Sequence, residues 1–296
     1  MAFINVFVSK EAKIYVKNNQ LCLENGGNKT DFPLEDVNSV MIENLNTVIS
    51  TYTLSAFAEN GILCFICNQN HLPNGVVLPF FNHYQTLLQY NSQKELPKPL
   101  QKQLWKSIIE NKIKNQDYVL GTIEKKGLLK PLYETVLSGD STNNEAKASL
   151  IYFKEVFGED FLRRDESNEV NAFLNYGYSI VRSFIARSIA SHGLMPFLGV
   201  FHHNQYNQFN LADDLIEPFR PIVDLYVVNN NSKQLTSKEK AKLLNLINYN
   251  VIVDGQRQAL SYAIEIYVQS YAKSIKEGKN LLKEIVLTEL EVHNYE

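Results

Sequence analysis

The sequence predicts an α+β fold: a small N-terminal β-sandwich over residues 1–80, followed by a larger all-helical domain over residues 81–296. Two observations carry the prediction. With 296 residues the chain is long enough for two hydrophobic cores. Its texture also changes after Pro79, where short alternating segments give way to helical periodicity with few glycines or prolines.

In the first region, Phe3–Ser9 reads as a strand, and Lys13–Lys17 and Leu21–Glu24 alternate around the turn Asn18-Asn19-Gln20. Gly26-Gly27-Asn28 forms a second turn, and Asp31-Phe32-Pro33-Leu34 leads to a strand over Val37–Glu43. Thr51–Asn60 is expected to be a helix capped by Ser50 or Thr51 and closed by Gly61. Ile62–Asn68 reads as a buried strand, and Asn74-Gly75 predicts a hairpin within Leu72–Leu78. Short strands this closely spaced favour a sandwich.

In the second region, Phe81–Tyr90 reads as a helix and Leu96-Pro97-Lys98-Pro99 as a break. Leu100–Lys126 follows as one long helix or two short ones carrying the sole tryptophan, Trp105, and Leu128–Ser138 continues the pattern. After the turn Gly139-Asp140-Ser141, a helix opens at Thr142-Asn143-Asn144 with Ala146, Leu150, Phe153 and Phe157 on one face. Glu145 lies in its first turn, where the helix dipole favours a carboxylate whatever its function. Ser167–His192 has the strongest helical periodicity and ends at Gly193. Leu194–Phe201 is extended, a helix starts near Leu211, and Glu217-Pro218 marks a break or restart. Lys238–Ile247 and Gln256–Lys276 close the helical domain, the second stopped by Gly278.

Composition narrows the function classes. No apolar run reaches the ~20 residues needed to span a bilayer, and the start lacks the pattern of a signal peptide. Three cysteines are too few for a disulfide framework, so a cytoplasmic protein is expected. The net charge is −3, yet Lys94–Lys130 holds nine lysines against four acids. Such a bias suits a phosphate backbone or simply a solvated helix face. Cys64-Phe-Ile-Cys67 has the gap of a zinc or redox pair, but it lies in a buried strand pattern with no second pair. Gly27-Asn28-Lys29-Thr30 lacks the first glycine and the following helix of a phosphate loop.

The segment Gly199–Pro221 carries the most chemistry. His202 and His203 precede an amide-rich loop, and Asp213, Asp214 and Glu217 follow it. Imidazole and carboxylate together are ligands for a divalent metal that must hold phosphate oxygens. Adjacent histidines on an extended segment point to opposite sides, so one of the two would ligate. On a helix, Asp213 and Glu217 share a face at i, i+4, and Asp214 and Glu217 are close at i, i+3. Such like charges need a cation or a basic partner between them. The spacing leaves open whether that is a metal or Arg220, or whether Asp213 and Asp214 simply enrich a helix start.

These residues also carry a family resemblance. Gly199-Val-Phe-His202, followed after His203 by Asn-Gln-Tyr-Asn-Gln-Phe-Asn-Leu-Ala-Asp-Asp-Leu-Ile-Glu217-Pro-Phe-Arg-Pro, resembles the CRISPR-associated spacer-acquisition integrase family, in the branch of single-effector (type II) systems. Asn171–Tyr178, Ser141–Phe153 around Glu145, and Leu72-Pro73 fit the same pattern, so the resemblance covers essentially the whole chain. It implies a metal-dependent DNA integrase and endonuclease that joins 3′-hydroxyl ends of a captured DNA fragment to the CRISPR repeat by transesterification.

By that resemblance Glu145, His202 and Glu217 would be the catalytic metal ligands for Mg2+ or Mn2+. His202 is preferred to His203 because the family histidine falls three positions after the glycine, here Gly199. Many relatives carry aspartate at the third ligand, which makes Asp214 the reserve, and Tyr176 resembles a position near the active site. The implied partners are DNA, a second copy of the chain, and a small CRISPR-associated partner dimer that completes a hetero-hexameric complex. With a net negative chain, local patches must hold DNA. The candidates are Lys102, Lys106, Lys125, Lys126, Arg163 and Arg164, together with the loop Asn204–Asn210. Two alternatives stand beside this reading: a general metal-dependent DNA nuclease without an integrase role, and a non-catalytic DNA-binding assembly subunit.

Overall fold

Residues 2–77 and 85–294 are described in a computed structural model, and in the first stretch the alternating pattern becomes two four-stranded sheets. The strands are β1 (Ile4–Val8), β2 (Lys13–Lys17), β3 (Gln20–Asn25), β4 (Asn28–Pro33), β5 (Val37–Ile42), β6 (Val48–Ile49), β7 (Leu63–Cys67) and β8 (Pro73–Val77). One sheet runs β1-β5-β7-β8 and the other β4-β3-β2-β6. Asn18, Asn19, Gly26 and Gly27 have φ of 50, 58, 54 and 86°. That left-handed pair in each turn matches the twist of the strands it joins. Helix α1 (Thr51–Glu59) makes the crossover between the parallel strands β5 and β7. Its first turn is capped by Ser50, whose hydroxyl accepts from the Thr53 N–H. Val6 and Val40 of one sheet meet Ile14 and Leu21 of the other, with Phe57 of α1, in one core.

The second region opens with α2 (Thr86–Lys94), α3 (Lys98–Gly121), the short α4 (Lys130–Tyr133) and α5 (Asn144–Phe157). Next come α6 (Glu169–Ser191), α7 (Asn210–Leu215), α8 (Arg220–Val228), α9 (Ser237–Asn245) and α10 (Leu260–Glu277). Leu100–Lys126 is therefore essentially one helix, with Pro99 in its first turn, where its missing N–H costs nothing. Asn168 caps α6 by accepting from the Val170 N–H, and Gly278 closes α10 at φ 69°. No helix among the described residues is long and apolar enough to cross a membrane.

Four expectations need correcting or bounding. Asn74-Gly75 does not turn a hairpin: it lies inside β8, with Gly75 opposite Ile66. The turn is built instead by Asn68, whose side-chain oxygen accepts from the N–H groups of Asn70 and Leu72. The C-terminal region is not all helical, because β9 (Tyr249–Val253), β10 (Gln256–Ala259) and β11 (Ile285–Val292) form an antiparallel sheet in the order β10-β9-β11. Its hairpin turns at Asp254-Gly255, with φ of 52 and 75°. This Asp-Gly signal lies beside the span read as the helix Gln256–Lys276.

The two compact units also divide differently from 1–80 and 81–296. Thr236–Asn245, and so α9, belongs with the N-terminal unit, while residues 85–235 and Leu246–His293 form the other. Within the N-terminal unit, Lys240 of α9 places its ammonium 2.7 Å from Glu43, which follows β5. The Pro79 seam and the expected helix start at Phe81 lie outside the described residues.

Candidate active site

The site is built on α3. Lys112 sits in the middle of this helix at 7% exposure, where an ammonium is costly unless it is paired. Its Nζ lies 2.5 Å from Glu145 Oε1 and 2.6 Å from Glu217 Oε2. Two of the predicted metal ligands therefore converge, but on a lysine of the Lys94–Lys130 basic stretch that is buried rather than part of a solvated face. Burial alone would lower the Lys112 pKa, yet Glu217 and Glu145 together hold it above its ordinary value. Burial would raise Glu217, but Arg220 and Lys112 outweigh it and depress the carboxyl to about 2. Arg220 Nε donates to Glu217 Oε1 at 2.9 Å, so the basic-partner alternative for Glu217 also holds.

Local structure fixes each carboxylate. α5 opens at Asn144, as the Thr142–Asn144 segment predicts, with Asn143 at the N-cap position, and Asp140 satisfies its first turn: its Oδ1 accepts from the Asn144 N–H and its Oδ2 from the Glu145 N–H, at 2.8 and 3.0 Å. Glu145 is thereby held in the first turn, and Ser149 donates to the same Oε1 that meets Lys112. Glu217 opens a 3-10 turn, Glu217–Phe219, between α7 and α8, where Pro218 prevents a continuous helix. Asn115, one turn beyond Lys112, donates to the Pro218 carbonyl at 2.8 Å and ties that turn to α3.

His202 belongs to the same helix face. The Trp105 ring stacks on Phe201 at 4.3 Å and meets the edge of His202 at 5.9 Å. Trp105 and Lys112 are seven residues apart, two turns along one face. Asp214 is fully buried, takes the N–H groups of Phe201 and His202, and lies 2.5 Å from His202 Nδ1. This hydrogen bond is the main reason that the imidazole holds its proton more tightly than usual; burial opposes it, and the charges of Asp214, Glu217 and Asp213 add to it. A Cβ on Gly199 would stand 2.3 Å from the His202 carbonyl oxygen and 2.8 Å from Asp214 Oδ2. Only glycine fits there, which is a steric reason for the glycine three residues before the histidine. His203 is exposed.

The donor set suits a divalent cation in kind. Glu145 and Glu217 meet at one cationic point, the buried Glu217 Oε2 meets the Lys112 ammonium outside good hydrogen-bond geometry, and Asp214 occupies Nδ1 of His202, so that Nε2 is the ring nitrogen that could face a metal. As they stand, no three His, Cys, Asp or Glu side chains among the described residues are close enough to hold a metal. The Lys112 ammonium fills the point between the two glutamates.

The remaining candidates sort by their contacts. Asp214, the reserve ligand, orients His202 instead. Asp213 is answered by Arg182, whose Nε lies 2.5 Å away, and by Asn207. Tyr176 is buried in α6, while the contact with Arg220 is made by Tyr178, whose ring lies 4.8 Å below that guanidinium. Tyr178 and Tyr152 both donate to the buried Asp224. Lys102, Lys125, Lys126 and Arg164 are exposed, though Lys125 is paired with Glu155 at 2.5 Å; Lys106 reaches Glu110 at 3.5 Å. Arg163 bonds Asn171 and Asn175. An open groove of about 750 Å3 joins Glu145 to Arg163 and Arg164 along Phe153, Phe161 and Leu162. Cys64 and Cys67 are free, buried thiols that burial pushes up to about 12 and 11, which fits a strand interior and no zinc pair.

A family model described as CRISPR associated protein Cas1 matches residues 6–260. The CRISPR-associated endonuclease Cas1 of Neisseria meningitidis serogroup C (strain 8013) is 36% identical, over 95% of this chain and 95% of its own. A casposase bound to integration product superposes with a TM-score of 0.74 at 19% identity, covering 95% of this chain and 92% of that one. A Cas6-RT-Cas1–Cas2 complex matches 97% of this chain and 36% of its own, with a TM-score of 0.70 at 17% identity. At such identities the two solved structures speak to the fold.

Proposed function

The chain belongs to the Cas1 family, and from that premise we propose that it is a Mg2+- or Mn2+-dependent DNA integrase of CRISPR adaptation. It joins the 3′-hydroxyl ends of a captured DNA fragment to the CRISPR repeat and has DNA endonuclease activity at the same site. The observation that carries the reading is the convergence of Glu145 and Glu217 on one buried cation, beside a histidine whose Nδ1 is already taken.

Glu145, Glu217 and Nε2 of His202 would hold the divalent cation, which when bound polarises a phosphodiester and eases ionisation of the attacking hydroxyl. Asp214 keeps the imidazole in one tautomer and orientation. Arg220 stays on Glu217 Oε1 and limits how far that carboxylate can rotate. In the exchange, the 3′-oxygen of the fragment forms a bond to the phosphorus at the edge of the repeat as the bond from that phosphorus to the flanking 3′-oxygen, on the far side, breaks. The proton lost by the attacking hydroxyl is matched by one gained by the leaving oxygen. One phosphodiester replaces another, so the reaction needs no nucleotide hydrolysis. Water in place of the hydroxyl gives cleavage.

DNA would approach along the groove beside Glu145, where Arg163 and Arg164 supply positive charge and Phe153 and Phe161 an apolar wall. A homodimer assembled with a small CRISPR-associated partner would present two such sites to the two ends of a repeat; one structural neighbour is itself a Cas1–Cas2 complex.

The test is strand transfer into a supercoiled plasmid carrying a CRISPR repeat, with partner and Mn2+ present. Joined products are expected, and Glu145→Gln should reduce them at least about a thousandfold, since metal-assisted stabilisation is worth several kcal/mol. Nicking without joining would identify a general nuclease instead. Undiminished joining by Glu145→Gln, His202→Ala and Glu217→Gln would exclude the metal mechanism.

A further inference from the structure

We propose that Lys112 is a resident counter-cation of this site: its ammonium holds Glu145 and Glu217 together in the metal-free protein and competes with the divalent cation for them. The inference rests on the metal-dependent reading above and adds a residue to it. Three observations carry it.

The first is the charge balance. Two carboxylates, Glu145 and Glu217, face two cations, Lys112 and Arg220, so the cluster is neutral without a metal. Adding a divalent ion beside both cations would leave a net charge of two on these groups, and still a positive one with the buried Asp214 behind His202 counted, which a low-dielectric interior opposes. One of the resident cations must withdraw.

The second is which cation can withdraw. Arg220 is held by Glu217 Oε1 on one side and by the Tyr178 ring on the other. Lys112 reaches the carboxylates on a flexible four-carbon stem, and among the described residues no aromatic ring is stacked on its ammonium. The third is the quality of its contacts. Glu217 Oε2 lies 2.6 Å from the ammonium, yet it has no geometrically sound hydrogen bond. Lys112 thus answers that oxygen by charge more than by direction, as a placeholder cation would.

Calorimetric titration of Mn2+ into the full-length protein without DNA, with thermal unfolding in chelator and in Mn2+, tests this. Lys112→Met removes the competitor, so Mn2+ affinity should rise about tenfold or more, the equivalent of 1.4 kcal/mol. The variant should also melt lower than wild type in chelator and gain more from Mn2+. Equal or weaker Mn2+ affinity in a folded Lys112→Met protein would overturn the proposal. Should that variant fail to fold in either condition, Lys112→Arg decides. Its forked guanidinium can engage both carboxylates with directed hydrogen bonds, so Mn2+ affinity should fall several-fold, and an unchanged or higher affinity overturns the proposal. A wild-type protein that takes up no Mn2+ would remove the metal reading itself, whereas wild-type binding with no gain in Lys112→Met removes only this inference.

Discussion

Two buried lysines, one in each unit, meet glutamates in different ways. In the N-terminal unit, Lys240 Nζ lies 2.7 Å from Glu43 Oε1 and donates to the His71 carbonyl, while Ser237 donates to Glu43 Oε2. Both oxygens of Glu43 are answered, and the pair fastens α9 within its unit. In the helical unit, Lys112 divides one ammonium between Glu145 and Glu217 and leaves Glu217 Oε2 without a sound hydrogen bond. A structural ion pair is built to closure because an unsatisfied buried polar atom costs about 1–3 kcal/mol. A cluster left incomplete is one that a further ion can improve, and that separates a fastening from a site.

Removing each lysine should break this comparison most sharply. Lys240→Met leaves Glu43 buried and uncompensated, and should destabilise the N-terminal unit by about 3–5 kcal/mol. Mn2+ should recover none of that loss, whereas it should recover part or all of the loss in Lys112→Met. Denaturant unfolding of both variants with chelator or Mn2+ reads the contrast. Mn2+ rescue of Lys240→Met would show that the two clusters differ in less than their contacts imply.

The same contrast explains what was legible in the sequence. Turns and caps are local chemistry, so Asn18-Asn19, Gly26-Gly27, Ser50 and Gly278 could be read directly from residue types. The break at Pro218 and the helix carrying Glu145 were legible for the same reason. Lys112 was not, because nothing in a helix with lysines on several faces says which one is buried; its partners are 33 and 105 positions away. Asp214 and Asp213 are adjacent and chemically alike, and only the third dimension gives one to His202 and the other to Arg182. The place of α9 in the N-terminal unit is not legible either, because helical periodicity cannot say against which unit its apolar side packs. The strands β9 and β10 carried a readable Asp-Gly turn that the neighbouring helical pattern obscured.

A third buried carboxylate extends the comparison. Asp224 is answered by two phenol hydroxyls, Tyr152 and Tyr178, rather than by an ammonium. Burial raises its pKa to about 6, with the hydroxyls and the more distant Arg220 and Arg163 only partly offsetting it. The folded state thus favours the protonated acid. Its stabilising contribution is full below the ordinary value of 3.8 and is lost as pH rises through about 6. Over that window the stability of wild type relative to Asp224→Asn should fall by on the order of 2–3 kcal/mol. Urea unfolding from pH 4 to 7 measures the gap, and a gap independent of pH would mean that the hydroxyls stabilise the carboxylate as well as water does.

The smallest expected effect concerns Asp214, the carboxylate behind His202. Asp214 accepts two backbone N–H groups and the Nδ1–H of His202, so it fixes both the turn after Gly199 and the imidazole tautomer. Asp214→Asn keeps the shape and an acceptor for the backbone, but its amide can donate to Nδ1 and drive the ring proton to Nε2. If Nε2 is a ligand, Mn2+ affinity should fall tenfold to a hundredfold, as such supporting contacts usually cost. The change should be accompanied by a tautomer shift visible in 15N NMR of His202. Undiminished Mn2+ binding together with the tautomer shift would take His202 out of the ligand set. The metal would then rest on the two glutamates alone, and the competition with Lys112 would become the main determinant of whether it binds.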